Sequence, residues 1–235
     1  MALITIVVPV YNEKDNIERL LTAIQKDVMV DFEIRIIYDR EEDNTLSVVR
    51  RLKKSFSKPI ELIKNYYGSG FLNAVKTGFE SSQSKYIVVI MGDFSDPPIV
   101  VNEMVKSAEE KNASIVCGSR YMKGGKMHCG FTVKSLLSRM AGLSLCWFVN
   151  FPTHDATNAF RLYRKDFLDS VTIESVTGGE LTLELVVKAF LDNKIICEVP
   201  TEWYDRESGE SHFKIIEWLP QYLKWYFKAY KKYIL

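Results

Sequence analysis

Two aspartates stand just beyond an apolar run in the segment YIVVIMGDFSDPP, residues 86–98. The run at 86–91 is short and apolar throughout, which predicts a strand buried on both faces. It halts at Gly92, and Asp93 and Asp96 follow. In an open parallel sheet, ligands collect beyond the carboxyl ends of the strands. A carboxylate there suits a hard cation such as Mg²⁺, itself bound to a substrate's phosphates. The plainer reading is that Asp93 closes a loop and Asp96 starts the helix signalled by Pro97 and Pro98. A second apolar run, EIRIIY at 33–38, also ends in acid, Asp39-Arg-Glu-Glu-Asp43. Two such exits favour a charged site at one sheet edge. A third exit reads Val8-Pro9-Val10-Tyr11-Asn12-Glu13. There Tyr11 can lie against a planar ring and Glu13 can accept hydrogen bonds from it, as a base-and-ribose pocket would. Alternatively, Glu13 only favours the N-terminus of the next helix.

The elements that would carry these residues alternate. Apolar strands are expected at 3–8, 33–38, 60–63, 86–91 and 114–118. Between them, Ile17, Leu20, Leu21 and Ile24 mark a helix face, as do 46–52, then Phe71, Ala74, Val75, Gly78 and Phe79, then Val101, Met104, Val105 and Ala108. This βαβα series predicts a doubly wound, mostly parallel α/β sheet with helices on both faces. The second half is less regular: helices at 134–148 and 181–191, strands at 158–163 and 195–199. No linker rich in Pro, Gly or Ser divides the chain, so one domain over 1–212 is expected, with 213–235 as a C-terminal tail.

Composition narrows the class. The 235 residues are 47% hydrophobic and 26% charged, with net charge +1, so no global charge argues for nucleic acid. The four cysteines are scattered, without a Cys-X-X-Cys pair, and the three histidines lie far apart. That argues against a disulfide framework or a zinc site and fits a reducing, cytoplasmic setting. No signal peptide and no membrane-spanning run is expected. The tail, however, holds eight aromatics and five lysines against one acid, Glu217. Pro220 is expected to start a fresh helix there. Such a helix could lie peripherally on an anionic membrane face, with Trp218, Tyr222, Trp225 and Tyr226 among the headgroups. It could equally pack on its own domain.

Taken in order, VVPVYNEKDNIERLL, the acid-ended second strand, NYYGSGFLNAVKTGFE, MGDFSDPP, IVCGSRYMKGG, DATNAFRLYRKDFLDS and EVPTEWYDRESGES resemble the inverting family 2 glycosyltransferases of the GT-A fold, and within them the branch similar to dolichol-phosphate mannose synthases. The resemblance spans about residues 3–214. It implies transfer of a hexose from a nucleotide-diphosphate sugar, with Mg²⁺ or Mn²⁺, to a polyprenyl phosphate. By resemblance, Pro9, Tyr11, Glu13 and Asp39 contact the base and ribose, and Gly68, Gly70 and Ala74 form the helix start beside the nucleotide. Asp93 matches the second acid of the metal motif. Arg120 matches the arginine near the reacting centre, Arg206 and Ser211 the loop over the diphosphate, and Lys134 and Ser138 the acceptor-phosphate site.

Five positions depart from the family pattern. Met91 and Tyr38 replace the first acids of the metal motif and of the strand-two pair. Arg40-Glu41 replaces a Gly-Ser, and Asp96 replaces a His. Mg²⁺ commonly takes one or two carboxylates, several waters and substrate phosphates, so Asp93 with Asp96 could still hold it. Were the acceptor a sugar hydroxyl, a general base would be needed, and Asp155 and Glu180 are the candidates. A non-catalytic nucleotide-sugar-binding protein is the third reading. A nucleotidyltransferase is disfavoured, because the first strand exit lacks a glycine-rich loop.

Overall fold

The apolar run at the start of the chain becomes β1 (Ile4–Val10), buried at every position. It lies inside the sheet with parallel neighbours on both sides, which is why its sequence shows no polar alternation. The structure, a computed structural model, describes residues 2–128, 133–205 and 215–233. After β1 come α1 (Lys14–Asp27), β2 (Phe32–Tyr38), α2 (Thr45–Leu52), β3 (Ile60–Lys64), α3 (Phe71–Ser81), β4 (Tyr86–Val89), α4 (Val100–Lys111) and β5 (Ile115–Ser119). The second half adds β6 (Lys126–His128), α5 (Val133–Val149), β7 (Arg161–Arg164), α6 (Lys165–Ser170), α7 (Leu181–Leu191), β8 (Ile196–Pro200), β9 (Glu202–Tyr204) and α8 (Ile215–Ala229), with a 3₁₀ turn at Tyr230–Tyr233.

Seven strands form one sheet in the order β3-β2-β1-β4-β7-β5-β8. All pairings are parallel except those of β7, which runs antiparallel between β4 and β5. One apolar layer joins the sheet to Ile17, Leu20, Leu46, Val49 and Met104 of α1, α2 and α4. The other joins it to Val75, Phe79, Leu145, Leu185 and Trp225 of α3, α5, α7 and α8. Helix α3 sits close on β1. A methyl at Gly78 would lie 2.3 Å from Val7 Cγ1, so glycine permits the approach.

The chain winds outward from β1 to β3 and then returns to place β4 on the other side of β1. That reversal is the switch point at which an open sheet opens a crevice. It brings the exits of β1 and β4 side by side. A methyl on Gly92 would meet Pro9 O at 3.1 Å and Glu13 Cγ at 3.4 Å.

Two expectations need correction. Pro220 lies inside α8, which begins at Ile215, so it does not start the helix. Trp225 is 1% exposed, within the layer formed with α7, and so is withdrawn from any headgroup region. The parallel ribbon of β6 and β9 and the short helix α6 were not expected. Strands of three residues are too short to show a period.

Candidate active site at the carboxyl edge of the sheet

The β1 exit is pinned by side chains of the β2–α2 loop. Asp43, buried, accepts from Asn12 N at 3.2 Å with each carboxylate oxygen, and Oδ1 also accepts from Thr45 N. Thr45 Oγ1 accepts from Glu13 N at 2.9 Å. These contacts let Asn12 keep its positive φ of 57° and leave Tyr11 exposed at the mouth. Glu13 stands at the N-cap position of α1, where its charge suits the helix N-terminus, but its side chain caps no helix N–H; its Oε2 accepts from Asn16 Nδ2 at 2.7 Å. Asp39 holds the glycine-rich turn: Oδ1 accepts from Asn65 Nδ2 and Oδ2 from Gly70 N, both at 2.9 Å. Gly68 and Gly70 adopt φ of 85° and 116°, open to glycine. Ala74 is turned into the apolar layer beneath the turn, so it supports the turn and offers a ligand little surface. Tyr38, standing where the family has an acid, donates to Glu41 Oε1 at 3.0 Å.

The β4 exit carries the paired aspartates, both buried. Asp93 Oδ1 accepts from the backbone N–H and hydroxyl of Ser95, so the plain loop-closing role accounts for one of its oxygens. Between them Phe94 has φ of 59°, a left-handed conformation costly for a side chain this large. Strain of that kind gathers at functional sites. Asp96 does not cap the following helix, because α4 has no side-chain cap. Its Oδ1 has no hydrogen-bond partner among the described residues, although it is 1% exposed. Burial, then the neighbouring Asp93, push its carboxyl up to about 7. Two acids crowded in a dry turn, one with a bare oxygen, fit a divalent cation that takes its remaining ligands from phosphates and water. Among the described residues no third acid, His or Cys joins them.

Opposite stands Arg120, just after β5. Its Nε reaches Asp155 Oδ2 at 2.6 Å and its Nη2 reaches Oδ1 at 2.9 Å, a two-pronged pair, while its backbone N also donates to Oδ2. Nη2 further reaches Thr157 Oγ1 at 3.2 Å and Ser138 Oγ of α5 at 3.4 Å. The hydroxyl of Tyr121 donates to Ser138 Oγ at 3.3 Å. Burial opposes the charge on Arg120, but Asp155 more than restores it.

The two candidate bases are both engaged. Asp155 is 0% exposed. Burial raises its carboxyl, but Arg120 pulls it below the ordinary range. Its oxygens accept from Arg120 and from Asn158 N, which suits an orienting partner for Arg120 and not a proton acceptor. Glu180, also 0% exposed, accepts from Val176 N, Thr177 N and the Thr177 hydroxyl. Burial raises it, yet these donors hold it low.

Arg206 and Ser211 lie outside the described residues, as does the side chain of Lys134 on α5. The structure thus gathers Pro9, Tyr11, Glu13, Asp39, Gly68, Gly70, Asp93, Asp96, Arg120, Ser138 and Asp155 at one edge of the sheet. Sequence reasoning overlooked Asp43, Thr45, Tyr121, Thr157 and Asn158. Asp43 was visible as the end of an acidic run, but its clamp on Asn12 was not.

The signature of the family described as Glycosyl transferase family 2 matches residues 5–172. A dolichol-phosphate mannosyltransferase of Pyrococcus furiosus is 27% identical over 216 residues, 90% of this chain; the chain spans 59% of that relative's length. A polyprenol monophosphomannose synthase of Mycolicibacterium smegmatis is 22% identical over 228 residues, 91% of this chain and 85% of the relative. Among solved structures, S. aureus TarS in complex with UDP-GlcNAc matches with a TM-score of 0.68 at 14% identity, over 97% of this chain and 66% of that one. Glucosyl-3-phosphoglycerate synthase from Mycobacterium tuberculosis, in complex with Mn²⁺, UDP-glucose and phosphoglyceric acid, matches at 0.67 and 15% identity, over 98% and 79%. At such identities these likenesses establish the fold, which is GT-A.

Proposed function

The chain belongs to glycosyl transferase family 2, and we propose that it moves a hexose, with inversion, from a nucleotide-diphosphate sugar to a polyprenyl phosphate. The observation that carries this reading is the state of Asp155 and Glu180. Both carboxylates are buried and committed to hydrogen bonds, so an acceptor that must lose a proton finds no base in them. A phosphate acceptor is already anionic near neutral pH and needs none. What it needs is positive charge and hydroxyl donors, and Arg120 with Ser138 and Tyr121 supply them together. The names of the P. furiosus and M. smegmatis relatives, a dolichol-phosphate and a polyprenol enzyme, point the same way.

In this reading the donor's base and ribose lie over Tyr11, Glu13 and the turn that Asp39 holds. Asp93 and Asp96 would hold Mg²⁺ or Mn²⁺, which when bound offsets the charge of the leaving diphosphate. Arg120 steadies charge at the reacting centre, and Asp155 keeps its guanidinium aimed. Inversion follows from a single in-line attack at the anomeric carbon. Arg206, Ser211 and Lys134 would complete the phosphate-facing charge, as the family resemblance implies.

A lipid acceptor brings the site to a membrane surface. No helix among the described residues is long and apolar enough to cross a bilayer. Helices α5 and α8 touch each other, Ser144 Oγ meeting Tyr226 OH at 2.9 Å, and both leave apolar side chains exposed. On α5 these are Leu136, Met140, Trp147 and Phe148; on α8, Leu219, Leu223 and Phe227. This face, and not the buried Trp225, is the one open to a lipid surface.

The test offers the full chain GDP-, UDP- and dTDP-hexoses with Mg²⁺ or Mn²⁺, with a polyprenyl phosphate, the matching free polyprenol, or a simple sugar as acceptor. Transfer to the phosphate alone is expected. Transfer to the polyprenol or the sugar would overturn the reading and restore a requirement for a base.

A further inference from the structure

We propose that Asn65 is a positioning residue for the nucleotide: it joins Asp39 to the glycine-rich turn at residues 65–70, so that Asp39 acts on the donor through the shape of that turn and not by touching the base. The assignment rests on the donor half of the functional reading above and deepens it.

Asp39 and Asn65 stand one step beyond the last rung of β2 and β3, where Tyr38 pairs with Lys64. Asn65 N donates to Tyr38 O at 2.8 Å, which carries the pairing one residue further. There the backbone leaves the sheet, and side chains take over the bonds a ladder would have made. Asn65 makes three of them. Its Nδ2 donates to Asp39 Oδ1 at 2.9 Å, and its Oδ1 accepts from Tyr67 N at 3.2 Å and from the Thr77 hydroxyl at 3.0 Å. Thr77, fully buried on α3, accepts in turn from Tyr66 N at 3.0 Å. Asn73, also on α3, donates to Tyr67 O at 2.9 Å. The far end of the turn is met by the other oxygen of Asp39, which accepts from Gly70 N at 2.9 Å. Both carboxylate oxygens are thus directed at the turn, one through Asn65 to its start and one to its end. The clasp holds Gly68 and Gly70 at their positive φ and sets the entry into α3. It also fixes which partner donates. An amide at 65 donates to Asp39 while accepting from Tyr67 and Thr77; a carboxylate there could only accept.

Two probes separate this clasp from general packing: UDP and GDP, each with Mg²⁺, by calorimetry, and farnesyl phosphate for the acceptor side. Asn65→Ala should weaken nucleotide binding about tenfold and leave farnesyl phosphate unchanged. Asp39→Asn should weaken it similarly, because the new amide sets N–H against N–H, at Asn65 or at Gly70. Asn65→Asp should do the same by setting one carboxylate against another. The double variant Asp39→Asn, Asn65→Asp decides the matter. An amide at 39 again accepts from Gly70 N and donates to position 65, where a carboxylate accepts from it, from Tyr67 N and from Thr77. Every bond is remade, with donor and acceptor exchanged within the pair and net charge unchanged. Nucleotide affinity should return to within about threefold of wild type. If the Asp39 carboxylate touched the base itself, the double variant would stay as weak as Asp39→Asn, and that result overturns the assignment. Unchanged nucleotide affinity in Asn65→Ala, or variants that weaken both probes alike, overturn it as well while the functional reading stands. Wild-type protein that binds neither UDP nor GDP overturns both. Wild-type protein that binds nucleotide but not farnesyl phosphate overturns the acceptor half of the functional reading alone, and the exchanged pair still decides this one.

Discussion

Asp96 is kept where a carboxylate is poorly tolerated, and that makes it a reporter for the cation. With its carboxyl at about 7, it is largely protonated in slightly acid solution and must lose that proton to bind a metal. Mn²⁺ affinity in the presence of nucleotide should therefore rise between about pH 6 and pH 8, and the rise should vanish in Asp96→Asn. The sign for stability is opposite. A carboxyl raised above its unfolded value contributes most below the unfolded value of 3.8 and loses that contribution as pH climbs through about 7. Without metal, the wild type should lose thermal stability across that window and Asp96→Asn should not, which paired melting curves at pH 5 and 8 would reveal. Asp93→Ala should abolish divalent-dependent nucleotide binding with the fold intact; unchanged metal dependence would remove it as a ligand. Arg120 calls for a different expectation. Arg120→Lys loses the fork to Asp155 and should lower turnover at least tenfold. Arg120→Ala also strands a buried carboxylate and should cost about 3–5 kcal/mol of stability. The acids at the strand ends were legible because position alone marks them. The clamp on Arg120 was not, because Asp155 is 35 positions away and nothing local distinguishes a buried orienting acid from a base.

At the scale of elements, the alternating first half was readable because each strand is a short apolar run and each helix shows one stripe. The run at 158–163 was readable as a strand, but not its place. The antiparallel position of β7 between β4 and β5 is set by pairings with distant residues. Pro220 misled because a proline is favoured at a helix start but is also tolerated further in when packing outweighs the lost hydrogen bond. Trp225 and Ala229 of α8 are both buried against the body, which supplies that packing. The contact of α3 with β1 gives a test of how tightly the layers are set. Gly78→Ala would drive a methyl into Val7 and should cost about 1–3 kcal/mol, or some 2–12 °C in melting temperature for a chain of this size. Adding Val7→Ala should recover part of the loss, so the double variant should melt higher than the sum of the singles requires. Strictly additive effects would show that the two layers adjust elsewhere.

For the molecule as a whole, the C-terminal helix is part of the body and not an appendage. Tyr222 donates to Gly179 O, and the amines of Lys224 and Lys228 lie over the Trp225 ring at 5.1 and 4.0 Å while reaching Glu174. The hydrogen bonds from Lys188 and Lys228 draw Glu174 down to about 2, so this clasp stays ionised across the working range. Lys224 and Lys228 of the lysine-rich tail are thereby engaged with Glu174, and the apolar side chains exposed on α5 and α8 offer a separate candidate surface for a membrane contact. Helical spacing puts Leu136, Met140 and Trp147 on one side of α5, and Leu219, Leu223 and Phe227 on one side of α8. Trp147 and Phe227 are 76% and 63% exposed, and aromatic side chains of this kind settle at the headgroup boundary. Removing α8 would bare the Trp225 side of the core, so truncation is a poor probe and point substitutions are better. Trp147→Ser, Phe148→Ser and Phe227→Ser together should leave the melting temperature unchanged and abolish co-sedimentation with vesicles of mixed neutral and anionic lipid. Wild-type binding should survive a rise in salt from about 0.05 to 0.5 M with only modest loss, since screening acts on exposed charge and not on apolar insertion. Binding that collapses with salt, or that the triple variant retains, would assign the contact to lysines and exclude this face.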